Sequence, residues 1–141
     1  MKKIIIINGP NLNLLGKRET EIYGTKTLQQ IQNECIKVFQ KDNLELVFFQ
    51  SNSESDIIDK IHESKNYEGL IINAGAFTHT SIAIHDALKI LQIPKIEVHI
   101  SNIYNREEFR KNSFVSPVVN GIIAGFGNYV YQIAINSLKY L

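Results

Sequence analysis

The chain reads as an α/β fold: a parallel sheet of five strands with helices on both faces. Three observations lead there. Apolar runs of strand length alternate with amphipathic stretches of helix length. The first run is an unbroken series of isoleucines, typical of a strand covered on both sides. The length, 141 residues, suits one core and leaves no room for a second, so residues 1–141 are read as a single domain.

The elements follow in order. Residues 3–8 form the first strand, and a polar, glycine-containing segment then runs from Gly9 to Gly24. That is long for a strand–helix connection, and such segments often act as lids. Thr25 or Lys26 leads into a helix ending near Lys41, on which Leu28, Ile31, Cys35, Val38 and Phe39 recur at helical spacing. The stripe puts Cys35, the one cysteine, in the core, with no partner for a disulfide or a zinc motif. Leu44–Gln50 is the second strand and residues 54–64 the second helix. Gly69–Asn73 is the third strand, followed by a helix over 78–91 with Thr78 or Thr80 as its cap. Pro94 breaks the chain before the fourth strand, Lys95–His99. A polar stretch over 101–120 holds a short helix around 106–111; Gly121–Ala124 is the fifth strand and residues 128–140 the closing helix. Right-handed crossovers then give a flavodoxin-like three-layer sandwich with strand order 2-1-3-4-5.

Composition narrows the function. A hydrophobic share of 44% with 21% charged residues is ordinary for a soluble globular protein. A net charge of +1 offers no electrostatic argument for nucleic acid or a membrane surface. No apolar run nears the roughly 20 residues of a membrane-spanning helix. The N-terminus superficially resembles a signal peptide, but Asn8-Gly9-Pro10 interrupts it too early, so a cytoplasmic location is expected.

Ligands of open parallel sheets bind beyond the carboxyl ends of the strands. Asn8, Gln50, Asn73 and His99 close otherwise apolar strands there, and four polar ends together point to a polar site. Within the fourth strand, alternation aims Glu97 and His99 the same way. A carboxylate beside an imidazole fixes its tautomer and favours its acid form. Taken alone, the pair reads equally well as exposed edge residues.

The first loop nearly matches a phosphate loop. Gly9 is separated from Gly16-Lys17 by six residues where the motif has four, and Arg18 stands where Ser or Thr is required. A nucleotide or flavin carrier is therefore disfavoured. A receiver-type domain is disfavoured too, because Asn8-Gly9-Pro10 replaces its clustered carboxylates. The loop instead supplies the amides Asn11 and Asn13, the guanidinium of Arg18 and the phenol of Tyr23, which a plain solvated loop also accommodates. A phenol acts as a base near neutral pH only when a cation favours its ionised form.

Asn73-Ala74-Gly75-Ala76 offers close backbone approach, and His79 is expected near a helix N-terminus with Asp86 two turns on, close to the same face. Each also reads as an ordinary surface residue. His62 and His85 are read as structural. Arg106 and Arg110, four apart, suit carboxylate recognition from one helical face, or equally an exposed helix balanced by Glu107 and Glu108.

Together these segments resemble the type II 3-dehydroquinate dehydratases over nearly the whole chain. The resemblance rests on Asn8-Gly9-Pro10-Asn11-Leu12-Asn13, Gly16-Lys17-Arg18-Glu19 with Tyr23-Gly24, and Asn73-Ala74-Gly75-Ala76 with His79-Thr80-Ser81. It is completed by Glu97-Val98-His99-Ile100-Ser101-Asn102 and Arg106-Glu107-Glu108-Phe109-Arg110. In this order and spacing the set is specific, and members vary at Thr20-Glu21-Ile22.

The resemblance implies a lyase of the shikimate pathway that needs no cofactor and no metal. Tyr23 would take a proton from the carbon beside the substrate ketone, with Arg18 holding the phenolate. Asn11 would hold a water against the enolate, and His99, oriented by Glu97, would protonate the departing hydroxyl. Asn73, His79, Ile100, Ser101 and Arg110 match substrate-binding positions, as do Asp86 and Arg106. Asp86 is expected to reach a neighbouring subunit's site, in a dodecamer of four trimers. The closing helix is apolar over more than one stripe, which fits a partner surface, although on the residues alone the extra apolar positions read more readily as flanking the core. Type I enzymes of the same reaction use a lysine imine on a barrel, for which this chain is too short.

Overall fold

Four consecutive isoleucines, Ile4 to Ile7, are each no more than 3% exposed, and their alternation organises the molecule. The computed structural model describes residues 1–141. Its regular elements are β1 (Lys2–Asn8), α1 (Thr20–Tyr23), α2 (Leu28–Val38), β2 (Leu44–Gln50) and α3 (Glu54–Glu63). They continue with β3 (Gly69–Asn73), α4 (Ile82–Ile90), β4 (Lys95–His99), β5 (Gly121–Ala124) and α5 (Tyr129–Ser137). The strands pair in parallel in the order β2-β1-β3-β4-β5, as the alternating pattern implied.

Ile4 and Ile6 pack with Ile31 and Cys35 of α2 and with Tyr131 and Ala134 of α5. Ile5 and Ile7 pack on the other face with Ile57 and Ile61 of α3 and Ile84 and Leu88 of α4. Each face of the sheet thus carries one helix pair, which is why Ile4–Ile7 of β1 and Leu70–Ile72 of β3 are all apolar. Burial pushes the Cys35 thiol up to about 11, so it stays protonated and serves the core. No helix is long and apolar enough to cross a membrane.

Several boundaries differ from the expectation, each for a local reason. Helix α2 begins after Thr27, not at Thr25 or Lys26, because Thr27 and Gln30 form a reciprocal capping box. Helix α4 begins after Ser81, whose hydroxyl accepts from the Ile84 amide at 2.9 Å. Neither Thr78 nor Thr80 caps it; Gly75–His79 forms a separate 3-10 turn. Over 106–111 there is only a 3-10 turn, Glu108–Lys111, and Arg106 is extended. The one-turn helix α1 inside the first loop was not anticipated.

Two glycines let the first and third loops touch. A Cβ on Gly9 would lie 2.3 Å from the Ala74 carbonyl oxygen, and Gly75 has φ +60° with the Pro10 carbonyl 3.0 Å from where its Cβ would be. The Gly9 amide also donates to the Asn73 carbonyl at 2.8 Å. These contacts bring both loops over the ends of β1 and β3.

Candidate active site

The site begins where β1 and β3 end, at the paired positions Asn8 and Asn73. Both are buried, so their amides need internal partners. Tyr131 of α5 supplies one: its hydroxyl donates to Asn8 Oδ1 at 2.5 Å and accepts from the Asn73 amide at 3.0 Å. Asn73 Oδ1 in turn accepts from the Gly75 amide at 3.3 Å.

One strand along, Glu97 and His99 project from the same face of β4 and are 1% and 5% exposed. His99 Nε2 meets Glu97 Oε2 at 2.5 Å, leaving Nδ1 free of the carboxylate. The Ser113 hydroxyl donates to Oε2 at 2.8 Å, and the Ser116 hydroxyl donates to Oε1. Burial alone would push the Glu97 carboxyl up. His99 and the two hydroxyls outweigh that and hold it below the ordinary carboxylate range. The edge-residue reading of this pair therefore fails.

His79 lies beside it, its ring centroid 6.4 Å from that of His99 with 21° between planes. Its Nδ1 is 2.9 Å from the Asn112 carbonyl, which can only accept, so Nδ1 carries the proton. Burial lowers its pKa from 6.5, and at neutral pH Nε2 is a free acceptor.

The first loop supplies the opposite wall. Buried Leu12 and Leu15 anchor it to the core. The Asn11 backbone N–H, in left-handed backbone at φ 69°, donates to Asn52 Oδ1 at 3.0 Å. Tyr23 lies between two guanidinium groups, with Arg18 Cζ at 4.8 Å and Arg106 Cζ at 5.2 Å from its ring centroid. Arg18 also pairs with Glu19 at 2.5 Å. Arg106 donates to the Ser101 hydroxyl at 3.1 Å, and Arg110 donates to Glu107 at the same distance.

One cleft gathers Asn11, Arg18, Tyr23, Asn73, His79, His99, Ile100, Ser101, Arg106 and Arg110. Glu97 stands behind His99, outside the lining. Asp86 is exposed on α4 and does not line the cleft, and the shared helical face expected for His79 and Asp86 does not exist, because His79 precedes the helix. Arg106 and Arg110 meet in the cleft without sharing a helical face. Of the four polar strand ends, only Asn73 and His99 line it. Asn8 is turned to Tyr131, and Gln50 donates to the Gly9 carbonyl and Asn52 at 3.2 Å each.

Sequence reasoning missed Ser113, Ser116 and Tyr131. Nothing in the serines' spacing marks them, since they reach Glu97 from a turn across the fold. Tyr131 did carry a signal: a phenol on an apolar helical stripe needs a partner for its hydroxyl once buried.

Two imidazoles, a phenol flanked by cations and three arginines, with no carboxylate on the wall, define an α/β protein with an acid–base cleft for an anionic ligand. The family model described as Dehydroquinase class II matches residues 2–139. A 3-dehydroquinate dehydratase of Caldicellulosiruptor saccharolyticus is 55% identical over 141 residues, covering 99% of this chain and 97% of its own. One from Buchnera aphidicola is 55% identical over 147 residues, covering 100% and 97%. The crystal structure of the type II dehydroquinase from Butyrivibrio crossotus superposes with a TM-score of 0.96 at 48% identity, covering 98% of this chain and 97% of that one. The chain belongs to the class II dehydroquinase family.

Proposed function

We propose that this chain is a hydro-lyase that dehydrates 3-dehydroquinate to 3-dehydroshikimate and water, a step of the shikimate pathway. One observation carries the reading. A phenol between two guanidinium groups faces the same cleft as an imidazole backed by a buried carboxylate. Elimination of water beside a ketone needs that combination, one group to take a proton and another to give one.

Tyr23, as phenolate, takes the proton from the carbon next to the substrate ketone. Arg18 and Arg106 lie over its ring. The electron pair moves onto the ketone oxygen, and the enolate is stabilised through a water held by Asn11. As the enolate collapses, the carbon–oxygen bond to the departing hydroxyl breaks and His99 delivers the proton that makes it water. Glu97 holds the imidazole in place and offsets its charge while it is protonated.

Binding falls to the remaining groups. Arg110 and Arg106 suit the substrate carboxylate from the cleft wall. Neutral His79 offers an acceptor to a substrate hydroxyl. Asn73, the Ile100 backbone and the Ser101 hydroxyl complete the polar wall. Asp86, exposed and outside its own cleft, is assigned to the site of a neighbouring copy, in a dodecamer of trimers working in the cytoplasm.

The test is an ultraviolet assay for the conjugated enone product with 3-dehydroquinate as substrate, run beside light scattering on a sizing column. Enone formation by a large assembly is the expected result. No product would overturn the activity, and a fully active monomer would overturn the role of Asp86.

A further inference from the structure

The segment from Asn112 to Ser116, between the second arginine and β5, is tied to three histidines. The Asn112 carbonyl accepts from His79 at 2.9 Å and the Phe114 carbonyl accepts from His85 at 2.7 Å. The Phe114 amide donates to the Thr78 carbonyl at 2.8 Å, fixing the segment to the turn that bears His79. The third link passes through Glu97, which takes the Ser113 and Ser116 hydroxyls and meets His99 Nε2 at 2.5 Å.

A carboxylate this buried needs donors on both oxygens. Oε2 receives His99 and Ser113, and Oε1 receives Ser116. Without Ser116, Oε1 has no side-chain donor. The carboxylate is then free to rotate toward other partners, and the imidazole loses its fixed direction. We propose that Ser113 and Ser116 are positioning residues for the dehydration, acting through Glu97 on His99. Neither serine lines the cleft, so neither contacts substrate. The inference rests on the activity and the acid assigned above.

The two serines differ as probes. Ser113 Oγ also accepts from the Val115 and Ser116 amides at 3.1 and 3.0 Å, so its loss disturbs the turn itself. The Ser116 hydroxyl bonds only Glu97, which makes Ser116→Ala the cleaner change. In the full-length enzyme with 3-dehydroquinate, kcat is expected to fall about tenfold, less than the roughly 10²–10⁴-fold worth of a general acid itself. KM is expected to stay within about twofold, because the binding wall is untouched. In a His99→Ala background the same change is expected to add nothing to the loss in kcat, since the serine acts only through that imidazole. Should Ser116→Ala fail to fold, Ser116→Thr and Ser116→Val give the same comparison at nearly equal shape, with the hydroxyl-bearing variant the faster.

Wild-type kcat in Ser116→Ala, a loss confined to KM, an equal further loss without His99, or equal rates for the Thr and Val variants would each overturn the proposal. Failure of the underlying activity is distinct. It shows as no enone product from the wild type, or as full speed from His99→Ala.

Discussion

The two walls of the cleft are built by opposite means. The acid wall belongs to the sheet: Glu97 and His99 are almost wholly buried at the end of β4, with each carboxylate oxygen satisfied. The base wall belongs to a loop: Arg18 and Tyr23 are half-buried and held by cation–ring contacts and an ion pair to exposed Glu19. Buried pairs with complete hydrogen bonding are rigid and costly to disturb, whereas exposed ion pairs are worth about 0–1 kcal/mol. The fold therefore presets the proton donor and leaves the proton acceptor to a loop whose buried anchors are Leu12 and Leu15. Access for substrate and precise placement of the acid are thereby assigned to different parts of the chain.

The strongest way to break this contrast is on the base wall. Tyr23→Phe is expected to abolish turnover while circular dichroism and the melting temperature stay near wild type, since only an oxygen is lost at a half-buried position. Arg18→Ala is expected to resemble it. Turnover near the wild-type level in Tyr23→Phe would remove the phenol from the mechanism.

On the acid wall, His99→Ala is expected to reduce kcat by about 10²–10⁴-fold. Glu97→Gln should reduce it less, through misorientation. The reverse ranking would mean that the carboxylate does more than position the ring.

The acid wall should also appear in stability against pH. Glu97 is held below its ordinary value of 4.5 in the folded chain, so near that pH the unfolded chain binds more protons. Its stabilising contribution is present above about pH 4.5 and is lost as the pH falls through the lower folded value. Urea unfolding as a function of pH should show this decline, and Glu97→Gln should flatten it. An unchanged slope in the variant would place the acid sensitivity elsewhere.

Behind both walls, Tyr131→Phe should leave Asn8 Oδ1 and the Asn73 amide without their shared partner, a cost of about 1–3 kcal/mol in denaturant unfolding. No change would show that the two asparagines re-pair. The smallest expected effect concerns the base wall's motion. Amide exchange over residues 14–23 should be faster than over β4 in the absence of ligand, and slowed when substrate is bound. Equal protection of the two segments would erase the contrast between loop and sheet.

Much of this was legible along the chain because it depends on local pattern. The isoleucine run, the polar strand ends and the break at Pro94 define the strands and their order, since period and turn chemistry are local and crossover handedness is general. Alternation within β4 was enough to pair Glu97 with His99. What stayed hidden depends on where distant segments meet. Gln50 looked like a site residue because its position in β2 resembles that of Asn73 in β3. Yet β2 is the outer strand beside β1, so its end reaches the Gly9 carbonyl instead of the cleft. Arg106 and Arg110 were assigned a helix to bring them together, and the fold does so with an extended residue and a 3-10 turn. Ser113, Ser116 and Tyr131 come from a turn and a helix 16 to 123 residues away from their partners, and no spacing rule spans such separations. Residue type and periodicity set the strands, the core and the inventory of acids and bases. Burial and long-range hydrogen bonding, which exist only once the layers close, decided which of those groups are held still.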